Sequence, residues 1–159
     1  MTPPSLSVFT VYVAAPFAAA EGLSVEDNVA RAVALGALAT AEGYAPLVVH
    51  PAVEAGVYGS DDVPADRANG LRCTQGLAEL VGSGAGQLWI LVRPSGRLSF
   101  GCEAEKEAFL YGLRRVREGA LLDDHIHLFR WESGKPVRIA PERAERDRLR
   151  EEERGTPQA

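Results

Sequence analysis

The sequence is poor in the residues that build disulfide scaffolds, structural zinc sites and strongly charged surfaces. It has two cysteines, Cys73 and Cys102, which stand 29 positions apart and form no CxxC or Cys/His ligand spacing. That argues against a disulfide framework and a structural zinc, and a reducing compartment is the expectation. Basic residues number 17 against 22 acidic, a net charge of −5, so no basic stripe is present to neutralise a phosphate backbone, and a polymeric nucleic acid partner is excluded. The longest apolar stretch, Val29 to Ala41, is broken by Arg31, Gly36 and Thr40. It is too interrupted for a membrane span. Met1 to Ser7 holds no Lys or Arg, hence no signal-peptide n-region, and a cytoplasmic protein without membrane partner is expected. No GxGxxG or GxxxxGK[ST] loop follows any strand-like segment, which weakens dinucleotide and nucleoside triphosphate readings. There is also no GxSxG elbow, and His50, His125 and His127 lack metal-ligand partners at workable spacing, so no metal is expected.

What is present is an ordinary globular composition, 46% hydrophobic and 25% charged over 159 residues, enough for one domain with a sizeable core. Ser7 to Ala14 is β-branched and aromatic, a first strand ending at Ala15-Pro16. Ser24 with Asp27 forms a capping box before a helix whose apolar positions are Val25, Val29, Ala32, Val33 and Ala37, closing at Gly43. Tyr44 to Val49 reads as a second strand, and His50 to Asp62 as a long turn-rich loop. Asp62 and Pro64 cap a second helix, Ala65 to Val81, with Ala68, Leu71, Leu77, Ala78 and Val81 as its stripe. Gln87 to Val92 is the clearest buried strand, and a third helix runs from Cys102 to Val116 with Ala104, Ala108, Phe109, Tyr111 and Leu113 as apolar positions. His125 to Trp131 and Pro136 to Ile139 form a hairpin across Glu132 to Lys135. This alternation predicts an α/β three-layer sandwich of flavodoxin or Rossmann-like type, with a mainly parallel five-stranded sheet over residues 1–140. Residues 141–159, where Arg143 to Arg154 interleave with glutamates and Asp147, read as a charged helical or disordered tail.

Sheets of this class bind ligands at the carboxyl ends of their strands. Those ends are Ala14 to Phe17, His50-Pro51 and Arg93 to Gly101. Ser99 to Glu105 (SFGCEAE) brings a hydroxyl, a glycine and two carboxylates to a helix start. Glu103 and Glu105 point about 200° apart, so they face different surroundings. Glu105 shares a face with Ala108 and Gly112 and turns inward, while Glu103 turns outward. Free N–H groups after Ser99 and Gly101 suit a phosphate. A glycine turn with an acidic first turn complementing the helix dipole explains the same residues without a ligand.

Three stations carry a resemblance. They are Val11 to Phe17 (VYVAAPF); Asn28 and Ala32 followed by Gly43 to Pro46 and His50-Pro51; and Ser99, Gly101, Glu105, Ala108 and Gly112 in the pattern S-x-G-x-x-x-E-x-x-A-x-x-x-G. Across about residues 8 to 113 the sequence resembles the nucleoside 2-deoxyribosyltransferase superfamily, which includes the 2′-deoxynucleoside 5′-phosphate N-hydrolases. The third station is the specific one. The resemblance implies that Glu105 is the nucleophile forming a glycosyl-enzyme ester and that Tyr12 orients it. It implies that Ala15, Pro16, Phe17, Asn28, His50, Ser99 and Gly101 contact substrate, with Ser99 at the 5′-phosphate. A carboxylate at a sugar's face both stabilises an oxocarbenium-like transition state and can bond to it. The implied activity is hydrolysis of the base–sugar bond of a nucleoside 5′-monophosphate. The alternatives are a deoxyribosyltransferase, a weakened nucleotide-binding or sensor module, or a structural protein in which Glu105 is merely solvated. No cofactor is implied, the partner is a small nucleotide or nucleoside, and a homodimer or higher homo-oligomer is expected, with Phe109, Leu110, Leu113, Leu121 and Leu122 as candidates for its interface. The sequence departs from the family by lacking its two aspartates, with Ala85-Gly86 and Gln75-Gly76 in their places. Asp61, Asp62 and Asp66 are the candidates to replace the general acid.

Overall fold

The computed structural model describes residues 9–60, 62–118 and 124–140. Nine elements follow in order: β1 (Thr10–Ala14), α1 (Val25–Ala41), β2 (Ala45–Val48), α2 (His50–Glu54), α3 (Pro64–Ser83), β3 (Gln87–Leu91), α4 (Phe100–Val116), β4 (Ile126–Glu132) and β5 (Lys135–Arg138). The sheet order is β2-β1-β3-β4-β5, with the first four strands parallel and β5 antiparallel. This is the expected α/β three-layer sandwich with a mainly parallel sheet. The charged tail, Asp61, Leu121 and Leu122 lie outside the described residues.

Period-two alternation in β1 assigns the layers. Val11, Val13 and Ala15 pack with Ala32, Leu35 and Ala39 of α1 and with Trp89, Leu91 and Phe129. Tyr12 and Ala14 pack on the other side with Ala78 and Val81 of α3 and Cys102, Phe109 and Leu113 of α4. The capping box forms as expected, with Asp27 N donating to Ser24 Oγ at 3.0 Å and Ser24 N to Asp27 Oδ2 at 2.8 Å. The buried stripe of α1, however, is Val29, Ala32, Leu35 and Ala39, and Val33 and Ala37 are exposed. The β4–β5 hairpin turns at Ser133 and Gly134, both with positive φ, the backbone that a two-residue loop matched to strand twist requires.

Three expectations for the helices are corrected. The stretch after β2 is not all loop, because Pro51 starts the single turn of α2, too short to show a period. Asp62 does not cap α3; Val63 does so without a side-chain bond, since a residue before proline is held extended and Pro64 has no N–H to satisfy. Ala68 and Tyr111 are exposed, because the first half of α3 borders a cavity rather than the core and the outer face of α4 meets solvent. Phe109 and Leu113 are fully buried in the core between α4 and the sheet and Leu110 is 5% exposed, so none of the three offers an exposed surface for an oligomer.

Candidate active site

β1 has β2 on one side and β3 on the other, so the sheet's switch point lies at its carboxyl end, where loops diverge and leave a crevice. A cavity of about 300 Å³ opens there, within the size range of small-molecule sites. Its walls come from the loop after β1 (Ala15, Phe17), from α2 (His50, Val53), from the first half of α3 (Asp66, Leu71, Thr74) and from Arg93, Ser99, Gly101 and Glu105.

At its base the Tyr12 hydroxyl donates to Glu105 Oε1 at 2.9 Å across 93 residues of chain. Tyr12 is fully buried and Glu105 is 6% exposed. Burial pushes the Glu105 carboxyl up to about 7, opposed first by the hydrogen bond from Tyr12 and then by the nearby Thr74 hydroxyl. Burial, then the Glu105 charge, raises the Tyr12 phenol, so it remains a protonated donor. The Thr74 hydroxyl donates to Leu71 O at 3.1 Å and lies against both groups, lowering the pKa of each. Cys102, on the same wall of the core, is pushed up to about 12 by burial and by Glu105, and is no nucleophile at neutral pH. Glu103 points outward, as its helical angle required, and pairs with Lys106 at 2.7 Å.

The cavity gathers Glu105, Ala15, Phe17, His50, Ser99 and Gly101 from the residues expected at the site, with Tyr12 bonded to Glu105 beneath them. Pro16 and Asn28 do not line it. Asn28 sits on α1, across the sheet, and its Nδ2 donates to Phe17 O at 3.2 Å and Ala18 O at 3.0 Å. It holds the loop's backbone instead of meeting a ligand, and Pro16 turns toward the same side, bordering a small cleft with Asn28. Ser99 caps α4 by accepting from Cys102 N at 3.2 Å. That bond uses a lone pair, so its proton is still free to donate into the cavity. His50 is 3% exposed, and its Nε2 donates to Ala15 O at 2.8 Å.

Sequence reasoning did not single out Tyr58, Arg67 or Thr74 on the wall, and it placed Arg93 at a strand end without giving it a role. Thr74 stands on the buried stripe of α3 with Leu71, Ala78 and Val81, and a hydroxyl on an apolar stripe was the available signal. Arg93, directly after the most apolar strand, lines the cavity at the strand end expected to bind a ligand. Of the three candidate aspartates, Asp66 borders the cavity, its Oδ2 accepting from Ser60 N at 3.1 Å, while Asp62 is exposed. At Gly86 no side chain fits: a Cβ there would lie 2.5 Å from Thr10 O.

Fold and cavity together define an α/β protein with a buried carboxyl–phenol pair at the switch point of its sheet. No protein-family model, curated protein or solved structure matches the chain significantly.

Proposed function

We propose that the protein is an N-glycosidase that cleaves the base–sugar bond of a nucleoside 5′-monophosphate, as its resemblance to the nucleoside 2-deoxyribosyltransferase superfamily suggests. The observation that carries this reading is the Glu105 carboxyl, buried on the wall of a ligand-sized cavity and held by the Tyr12 hydroxyl at 2.9 Å. In this reading the Glu105 carboxylate attacks the anomeric carbon as the C–N bond breaks. The bonding pair leaves with the base, which takes up a proton, and water then hydrolyses the glycosyl ester. Tyr12 acts through Glu105 as a positioning residue. Asp66 is the second carboxylate on the wall and the group available to the leaving base, a role worth typically about 10²–10⁴-fold. Ser99 and the N-terminus of α4 suit the 5′-phosphate.

The test is a chromatographic screen for free base after incubation with ribo- and deoxyribonucleoside 5′-monophosphates, alongside Glu105→Ala. Base release by the unaltered protein should fall by about 10³-fold or more in the variant, while its melting transition persists. Undiminished turnover in a folded Glu105→Ala protein would reject the assignment. A product analysis with two bases present separates hydrolysis from transfer of the sugar. Neither Gln75 nor Gly76, at the place where the resemblance would put the general acid, lines the cavity, which favours a second reading, a nucleotide-binding module, for which stabilisation by one nucleotide without base release is the signature.

A further inference from the structure

Thr74 puts a hydroxyl where packing alone asks for none. On α3 it stands in line with Ala78 and Val81, and it is 5% exposed. A threonine inside a helix commonly bonds a carbonyl one turn back, which satisfies its proton and slightly weakens the helix. Thr74 Oγ1 does this, donating to Leu71 O at 3.1 Å. A valine would fill the same space with no polar atom to satisfy.

The surroundings give the hydroxyl a second use. α3 packs along α4, and the two helices bring Thr74 and Glu105 to the wall of one cavity. There the Thr74 hydroxyl favours the charged form of Glu105, second in this only to Tyr12. A hydroxyl has one proton and two lone pairs, and a carboxylate can accept about four hydrogen bonds. The titratable or charged groups around Glu105 are Tyr12 and Cys102 in the core and His50, Asp66, Arg67 and Arg93 on the cavity wall. Tyr12 and Cys102 stay protonated, and burial holds His50 below the usual histidine range. Among the described residues no cation offsets the Glu105 charge, so that charge depends on hydroxyl donors.

We propose that Thr74 is a second positioning residue for Glu105, a hydroxyl that turns with the charge of the carboxyl. While the carboxyl is neutral, the Thr74 proton rests on Leu71 O; once the carboxyl ionises, the hydroxyl turns and donates to it. The proposal rests on the reading of Glu105 as the nucleophile and deepens it. Formation of the glycosyl ester removes the charge, and the proton swings back to Leu71 O. Hydrolysis of the ester restores the carboxylate, and the hydroxyl turns to it again. Thr74 makes and drops a hydrogen bond throughout and exchanges no covalent bond.

Urea denaturation at about pH 5 and about pH 9, below and above the value of about 7 to which Glu105 is pushed, tests this without turnover. Thr74→Val keeps the shape and removes the donor, so the folded carboxyl titrates higher. The stability lost in Thr74→Val should therefore be greater at the higher pH, by about tenfold in the unfolding constant, the worth of one hydrogen bond. Thr74→Ser, which restores the donor, should show no such growth, and neither should Thr74→Val made in the Glu105→Gln protein. A loss equal at the two pH values, or one that grows as much in Glu105→Gln, is what packing alone produces and would overturn the proposal. Should Thr74→Val not fold, the unaltered protein decides. The Leu71 carbonyl carbon signal in NMR should titrate together with Glu105, because Leu71 O loses its hydroxyl partner, and should stand still in Glu105→Gln. A Leu71 signal that ignores the titration overturns the proposal as well. Base release that vanishes in Glu105→Ala, with a Thr74→Val loss indifferent to pH, rejects this inference and keeps the glycosidase. A loss that grows with pH, with no base release, does the opposite.

Discussion

The two faces of the sheet are equally well buried and chemically unlike. Toward α1, the strands present Val11, Val13, Trp89, Leu91 and Phe129, all at most 2% exposed. Their one polar group, the Trp89 indole N–H, is bonded to Gln87 Oε1 at 2.9 Å. Toward α3 and α4, the same β1 presents Tyr12, and around it gather Thr74, Ser99, Cys102 and Glu105, none more than 7% exposed. One face is a packed apolar and aromatic layer, with the Arg138 guanidinium 5.1 Å and 5.3 Å from the centres of the Trp89 and Phe129 rings. The other holds a carboxyl that its surroundings resist charging. Adjacent residues of a single strand thus serve holding and chemistry separately, which lets a demanding site form without loosening the sheet beneath it.

The largest expected effect lies on the α1 face. Phe129 is fully buried with its ring 4.8 Å from Trp89, so Phe129→Ala should cost about 3–5 kcal/mol in urea denaturation. Base release per folded molecule should be unchanged, and its loss would break the separation of the two faces. On the other face, Glu105 should make stability fall with pH. Its carboxyl has an ordinary value of 4.5 and is pushed up to about 7 in the fold, so between those values the folded chain keeps a proton that the unfolded chain has released. Stability then declines as pH rises from about 4.5 to 7 and is level above. Glu105→Gln should remove the decline, gaining on the order of 2–3 kcal/mol at pH 8 relative to pH 4.5. Parallel stability profiles for the two proteins would show that Glu105 is not the buried acid. The smallest effect concerns Tyr12→Phe. Without the donor, Glu105 titrates higher, so the rise of kcat/KM with pH should move to higher pH and the rate at neutral pH should fall about tenfold. An unmoved profile would leave Tyr12 only a packing role.

The layer order and the position of the cavity were legible because alternating strand and helix periods leave few parallel topologies and put ligands at strand ends. Glu105 was legible for a similar reason, since two carboxylates about 200° apart on one helix cannot share a fate. What escaped depended on which side of the sheet a loop residue takes. Asn28 and Pro16 stand near the right strand end in sequence but on the α1 side in space. Phe109 and Leu113 have the composition of an interface and of a core alike, and only their packing with Tyr12, Ala14, Leu88 and Ile90 decides between them. Thr74 lay hidden on an apolar stripe, where a single hydroxyl does not disturb the period. Gly86 shows the converse, because the Thr10 carbonyl occupies the space that any side chain there would need.

The glycines where α3 meets α4 carry a mechanical consequence. Added side-chain carbons at Gly82 and Gly112 would lie 2.2 Å from Phe109 O and Glu79 O, so the two backbones touch there. Thr74 and Glu105 are eight and seven residues up the same helices, about 10–12 Å away at 1.5 Å per residue. The helices are therefore pinned backbone to backbone at that end, and the pin helps set how closely Thr74 and Glu105 stand. A single methyl group at that pin, touching nothing in the cavity, must push the two backbones apart where they meet.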